Sequence, residues 1–246
     1  MTEAERPPRP LAQLVAVLVL GALMLAGFMW LGLWQIERRA WKHDLIDRVE
    51  ARLSAPVQPF AQISGRPEDG EYSRVRVTGR FDHDAEVLVQ AVTELGGGFW
   101  VLTPLHLTQG GSVLVNRGFV PPQRRDPATR AAAQPEGAVT VTGLLRLTEP
   151  EGAFLRQNDP AGGRWYSRDV AAIAQHLGLP DAAPDFIDAD ADADPDVIAA
   201  GGPQGGLTVV QFRDTHLVYA LTWFALAGLV AFALTVLIRH EYRLRR

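Results

Sequence analysis

LAQLVAVLVLGALMLAGFMWLGLWQI, residues 11–36, and LVYALTWFALAGLVAFALTVLI, residues 217–238, each run without a single Asp, Glu, Lys or Arg. An apolar run of about 18 or more residues is long enough to cross ~30 Å of hydrocarbon as a helix, so both read as membrane spans. The first run is longer than the apolar core of a signal peptide. It also ends in Trp30-Leu31-Gly32-Leu33-Trp34, with no small-x-small cleavage site, and so reads as an uncleaved anchor. Basic residues near the ends set the orientation. Arg6 and Arg9 compete with Arg38, Arg39 and Lys42 across the first run, but the final tail holds Arg239, Arg243, Arg245 and Arg246 against the one acid Glu241. The tail is therefore expected on the cytoplasmic side. The expected layout is a cytoplasmic tail 1–10, a transmembrane helix 11–36, an extracytoplasmic (periplasmic) β-rich domain 37–215, a transmembrane helix 216–238 and a basic cytoplasmic tail 239–246.

Composition removes several functions. Cysteine is absent and the methionines are Met1, Met24 and Met29. The large domain thus has no thiolate or thioether with which to carry copper, no thiol nucleophile and no Cys-ligated zinc or iron–sulfur cluster. That domain holds 25 acids against 18 Lys and Arg. Such an acidic domain beside anionic lipid argues against nucleic acid as a partner.

Within the domain, Val75, Val77 and Phe81 alternate on one face and predict a strand, with Glu86 to Gln90 as its hairpin partner across Asp82-His83-Asp84. Further strands are expected over Phe99 to Leu107, Ser112 to Val120, Ala138 to Leu147 and, short, Asp185 to Ile187. Ser167 reads as the N-cap of a helix through about His176, closed by Gly178 and Pro180. The fold class is therefore a membrane α+β protein. Two transmembrane helices flank a mainly antiparallel sheet or small barrel that carries one or two helices.

The chemistry-bearing motifs are few. Asp188, Asp190, Asp192, Asp194 and Asp196 alternate with Ala or Pro. An EF-hand counted from Asp188 would need Gly and Glu where Ala193 and Ala199 stand, so a solvated acidic loop is expected. Asp82-His83-Asp84 sits on one turn, where adjacent side chains rarely converge on a metal. Asn116-Arg117-Gly118 reads as a binding corner or as a structural turn with Arg117 paired to a carboxylate. No hydrolase elbow, zinc-protease motif or phosphate loop is present, and the chain is not expected to be an enzyme. His216, Tyr219, Ala220, Trp223 and Ala227 share one helix face. A neutral histidine at a membrane boundary can serve as an axial ligand of haem iron, and Trp223 lies ~10 Å deeper at 1.5 Å per residue. The plain alternative is a hydrogen-bonded boundary histidine within an interfacial aromatic belt that includes Trp30 and Trp34.

LGLWQIERRAWK at 31–42, VRVTGRFD at 75–82, VLTPL at 101–105, VLVNRGFVP at 113–121 and HLVYALTWFALA at 216–227 together resemble the Surfeit locus protein 1 family, assembly factors of haem–copper cytochrome c oxidase. The resemblance implies two membrane helices around an extracytoplasmic domain, here in a bacterial inner (cell) membrane with both termini cytoplasmic. It also implies a role in maturing the catalytic subunit of an aa3-type oxidase. Some bacterial members bind haem a, which carries onto His216 as the iron ligand with Trp223 nearby. Tyr219, Trp34, Gln35 and Arg38 are expected around the same pocket, Arg38 near the propionates. The implied partners are oxidase subunit I, haem a synthase as supplier, and the lipid bilayer. The alternative function is a membrane-anchored scaffold that holds subunit I without haem. Two departures from the family pattern stand out. Asp214-Thr215 replaces its Asn-Asn, which reads either as Asp214 on the second ring nitrogen of His216 or as an altered pocket that binds haem more weakly, and Phe119 replaces a tryptophan.

Overall fold

The computed structural model describes residues 9–66, 70–150, 152, 156–191, 199–208, 210, 212 and 214–246. It divides into a helical unit, Met1–Asp47 with Gln211–Arg246, and a sheet unit, Arg48–Val210. Helix α1 spans Leu11–Ser54 and passes from the first unit into the second. At 1.5 Å per residue its 44 residues measure ~66 Å, about twice a hydrocarbon layer. Charge begins at Glu37, so the helix continues as a charged segment past its uncharged run. Helix α3, His216–Leu244, is the second helix of the helical unit. Both helices are long and apolar enough to cross a membrane and keep most of their apolar surface uncovered, so the chain is a membrane protein of the expected α+β class.

Among its described residues the sheet unit contains seven strands: β1 Gln58–Pro59, β2 Arg74–Phe81, β3 Val87–Thr93, β4 Gly96–Leu107, β5 Ser112–Val120, β6 Ala138–Leu147 and β7 Ala182–Ala189. Their order is β1-β2-β6-β7-β5-β4-β3, and an additional β2–β4 pairing closes β2, β6, β7, β5 and β4 into a ring. All the pairings within the ring are antiparallel except β5–β7, which is parallel. Closure pairs the ring strands on both sides and leaves β1 and β3 as the outer strands of the sheet.

Alternation along β5 and β7 divides the core. Val113, Val115 and Ile187 join Phe60, Val75, Leu105 and Leu145 in one apolar cluster. Leu114 and Phe186 face the opposite way, into a second cluster with Val89, Leu102, Trp165 and Ile173. Both strands are covered on both faces, as a parallel pair requires. Helix α2, Val170–Leu177, supplies Val170 and Ile173 to the second cluster.

Three expectations are corrected. Within the expected Glu86 to Gln90, Val87 to Gln90 belong to a strand, but that strand, β3, pairs with β4 from Val87↔Leu102 to Thr93↔Gly96 and not with β2. Residues His83–Ala85 form a 3₁₀ turn, which carries the chain away where a two-residue primed turn would have folded it back. The cap of α2 is Asp169, whose Oδ1 accepts from the Ala172 N–H at 3.1 Å. Ser167 Oγ instead accepts from the Gly152 N–H and the Asn158 amide, both at 3.0 Å. Gly178 closes the helix in the left-handed conformation, φ 67°. Finally, Asp188 is not solvated. It is 4 % exposed in β7 and accepts from Asn116, Arg146, Arg168 and Thr208. Asp190 pairs with Arg74, while Asp192, Asp194 and Asp196 lie outside the described residues.

Gly79 makes the ring closure sterically possible. It sits opposite Leu107 at the β2–β4 junction, and a Cβ there would overlap the carbonyl oxygen of His106. Backbone cannot yield as a side-chain tip can, so Gly79→Val should cost about 2–3 kcal/mol of sheet-unit stability. A thermal melt of the full-length protein in detergent, followed by near-ultraviolet dichroism, should show a clear drop in midpoint. An unchanged midpoint would contradict the closure.

Candidate functional site

Helices α1 and α3 pack antiparallel along seams that repeat every three and four residues. On α1 the seam runs through Gly21, Leu25, Phe28, Gly32, Gln35 and Arg39, and on α3 through His216, Ala220, Trp223, Ala227, Val230, Leu234 and Glu241. This is heptad geometry with small residues at the closest approaches. A Cβ on Gly32 would stand 2.5 Å from the ring of Phe224. Ala220 and Ala227 are buried. Phe28 stacks on Trp223 with ring centroids 5.7 Å apart and planes 24° from parallel, a favourable aromatic arrangement.

The seam brings His216 against Gln35. His216 Nδ1 lies 2.7 Å from Gln35 Oε1. A carbonyl oxygen only accepts, so the bond needs the proton on Nδ1 and, of the two neutral tautomers, selects the one with its lone pair on Nε2. No group among the described residues bonds Nε2. An outer partner on one ring nitrogen that fixes the tautomer and frees the other is the usual arrangement around a metal-ligating histidine.

Asp214 organises the start of α3, though not as expected. Its Oδ1 accepts from the His216 backbone N–H at 3.0 Å. Its Oδ2 accepts from His43 Nε2 at 2.7 Å and from Arg39 Nε at 3.2 Å, both on α1. The side chain therefore holds the helix end and the neighbouring helix, and the ring of His216 is left to Gln35. At the opposite end of the seam, Glu241 is buried, accepts from the Arg9 backbone N–H at 3.3 Å and faces Arg9 and Arg245 at 3.7 Å. Arg245 also donates to the Arg9 carbonyl at 2.9 Å.

Of the residues expected at the site, the seam unites His216 with Gln35 and places Trp223 on the same seam two turns along α3. Tyr219 is 55 % and Trp34 45 % exposed, each off the seam on a lipid-accessible surface. Arg38 lies over the Trp41 ring, 3.9 Å from its centroid. Phe28, Arg39 and His43 were not anticipated, although the three- and four-residue spacing of Phe28, Gly32, Gln35 and Arg39 is readable in the sequence. Asn116-Arg117-Gly118 lies inside β5, where Asn116 and Gly118 line a cavity of the sheet unit. Arg117 donates to the Ala133 carbonyl at 2.6 Å and stacks over Phe81.

The fold and seam define a two-helix membrane protein with a closed sheet unit inserted between the helices and a tautomer-fixed histidine where they meet. Comparison with known sequences agrees. The chain matches the SURF1 family over residues 22–228 and belongs to it. It is 38 % identical over 219 residues to Surfeit locus protein 1 of Homo sapiens, covering 82 % of this chain and 71 % of that one. To the SURF1-like protein of Monosiga brevicollis it is 39 % identical over 226 residues, covering 86 % and 83 %. To Surfeit locus protein 1 of Takifugu rubripes it is 35 % identical over 219 residues, covering 82 % and 88 %.

The clamp on Asp214 has a pH signature. Hydrogen bonds, first from His43 and then from the His216 backbone N–H, lower the Asp214 carboxyl from 3.8 to about 2. A depressed carboxylate stabilises the folded form fully above its unfolded value and loses that contribution as pH falls through its folded value. The junction should therefore hold above pH 3.8 and release as pH falls towards about 2. Carbon-detected NMR of the Asp214 carboxyl in detergent micelles should give a midpoint well below 3.8. In Asp214→Ala, amide exchange at the first turn of α3 should speed up at neutral pH. A midpoint at the free value, or unchanged exchange, would remove the clamp from this account.

Proposed function

We propose that the chain acts in the assembly of haem–copper cytochrome c oxidase, holding haem a transiently through His216 and delivering it to, or stabilising it in, subunit I. The observation that carries this reading is the Gln35–His216 bond, which engages Nδ1 and leaves Nε2 without a partner among the described residues at the junction of the two helices. When bound, haem a would supply an iron with an axial position for such a nitrogen. Gln35 then acts by fixing the tautomer and ring plane of His216. The stacked Phe28 and Trp223 hold the helices in register beside the ligand. Tyr219 and Trp34 offer exposed aromatic surface for a flat apolar group. Arg38, past the end of the uncharged run, offers a cation for propionates. In this reading both termini are cytoplasmic in a bacterial inner membrane, the sheet unit is periplasmic, and haem a synthase is the supplier.

The test is an optical spectrum, with extraction and identification of the haem, on protein purified in detergent from cells that make haem a. Wild type should carry haem a near stoichiometry and His216→Ala none, with the same helical dichroism. Gln35→Leu, which leaves Nδ1 without its acceptor, should retain haem about 10- to 100-fold more weakly. Arg38→Gln should weaken retention to a smaller degree. A folded, colourless wild type would overturn the carrier reading and move the function to a scaffold that holds subunit I.

A further inference from the structure

The sheet unit contains a second candidate site, unrelated to the helix seam. A cavity of about 230 Å³ opens among Tyr72, Trp100, Arg146, Arg168, Asp188 and the 205–208 segment. Its side-chain acceptors are already taken. Asp188 receives Asn116 Nδ2 at 2.7 Å, Arg146 Nη1 at 3.0 Å, Arg168 Nη1 at 3.0 Å and Thr208 Oγ1 at 2.9 Å. Asn116 Oδ1 in turn accepts from the Gly118 N–H at 3.2 Å.

Its donors are not all used. Arg168 gives Nε and Nη2 to the two oxygens of Glu149, at 3.0 and 2.6 Å, so every nitrogen of that guanidinium is engaged. Arg146 is equally covered, 13 % exposed, but makes one hydrogen bond, to Asp188. Its Nε is fully buried, 3.5 Å from Glu71, and out of a ligand's reach, so its Nη2, 3.6 Å from Glu149, is the donor left for the cavity. Those distances give ion pairing but not directed hydrogen bonds. The Tyr72 hydroxyl and the Trp100 indole N–H also have no hydrogen-bond partner among the described residues.

Tyr72 is aimed at this cavity by an unusual backbone. It is the one non-glycine described residue with positive φ, 63°, a conformation that bulky side chains adopt rarely and that recurs at functional sites. Two bonds to β6 hold it there: Tyr72 N–H to the Leu145 carbonyl at 2.8 Å, and Leu145 N–H to the Ser73 carbonyl at 2.9 Å. Its ring lies 4.9 Å from the Arg146 guanidinium carbon. Burial raises the phenol's pKa, with Arg146 opposing, so the hydroxyl stays protonated and able to donate.

We propose that this cavity binds a small planar carboxylate, held by Arg146 with Tyr72 and Trp100. A carboxylate is the acceptor that a guanidinium binds most strongly, through charge-assisted bonds. Tyr72 and Trp100 both line the cavity and offer aromatic surface to a flat ligand, and a volume of about 230 Å³ admits one of about the size of benzoate. Glu71 and Glu149, the two carboxylates beside Arg146, do not line the cavity. Their side chains are 31 % and 37 % exposed, so solvent screens their repulsion.

The experiment is a titration of full-length protein in detergent with benzoate, observing the indole N–H of Trp100 by nitrogen-edited NMR, assigned with Trp100→Phe. Benzoate should shift this signal saturably, and the neutral isostere benzamide should bind at least about 10-fold more weakly. Arg146→Gln should abolish the shift. Because that variant also strips a partner from buried Asp188, Tyr72→Phe is the decisive one. It deletes a hydroxyl that makes no hydrogen bond in the structure, so the melting temperature should hold while benzoate affinity falls several-fold. No shift up to about 20 mM, weaker than any useful affinity, equal binding of benzamide, or an unaltered Tyr72→Phe would each overturn the proposal.

Discussion

Two helices in hydrocarbon have no hydrophobic force pressing them together, because lipid tails are as apolar as leucine. Everything at the helix junction depends on how this chain meets that constraint. Gly32, Ala220 and Ala227 let the backbones approach, and Phe28 on Trp223 fills the contact. Polar clamps mark the two ends, Asp214 with Arg39 and His43 at one, Glu241 with Arg9 and Arg245 at the other. With both ends pinned, the register along the seam is determined. That register brings Gln35 to 2.7 Å from His216. A shift of one residue would rotate Gln35 off the seam by about 100° and leave the ring without its acceptor.

The sheet unit solves a different problem with the same economy of polar groups. One of its buried charges is Asp188, in a strand covered on both faces, where an unpaired carboxylate would be costly. Four donors from β5, β6, the start of α2 and the 205–208 segment converge on it. One side chain thereby ties together parts of the unit that are distant in sequence. The two arginines that serve it differ in how fully they are used, and that asymmetry separates a purely structural pair from one that leaves donors for a ligand.

Features written in consecutive residues were legible. The uncharged runs announced both long helices, the alternation of Val75, Val77 and Phe81 announced β2, and Ser112 to Val120 was delimited as β5 stands. What depends on pairing between distant segments was not legible. The partner of β3 is β4 because a 3₁₀ turn at His83–Ala85 redirects the chain, and no local pattern marks that choice. Asp188 looked like one member of a solvated acidic ladder because its two arginines, Arg146 and Arg168, lie 42 and 20 residues away. His216 and Gln35 were both picked out, but the bond between them was not. Asp214 stood nearer in sequence and took the role that Gln35 performs.

The separation of that pair bears on how the protein is made. Gln35 and His216 are 181 residues apart, and the whole sheet unit lies between them. At about 5–20 residues per second, roughly 10–40 s of synthesis elapse between the two. Until then α1 has no α3 to pack against, and its glycine-lined face meets lipid. The sheet unit, whose strands are all complete by Ala189, can close its ring in that interval. A chain whose sheet unit is late to fold would still join its helices across a longer and looser loop, at little entropic cost. The order of synthesis thus lets the histidine junction form only after the strands of the sheet unit exist, and before Glu241 reaches Arg9 at the far end of the seam.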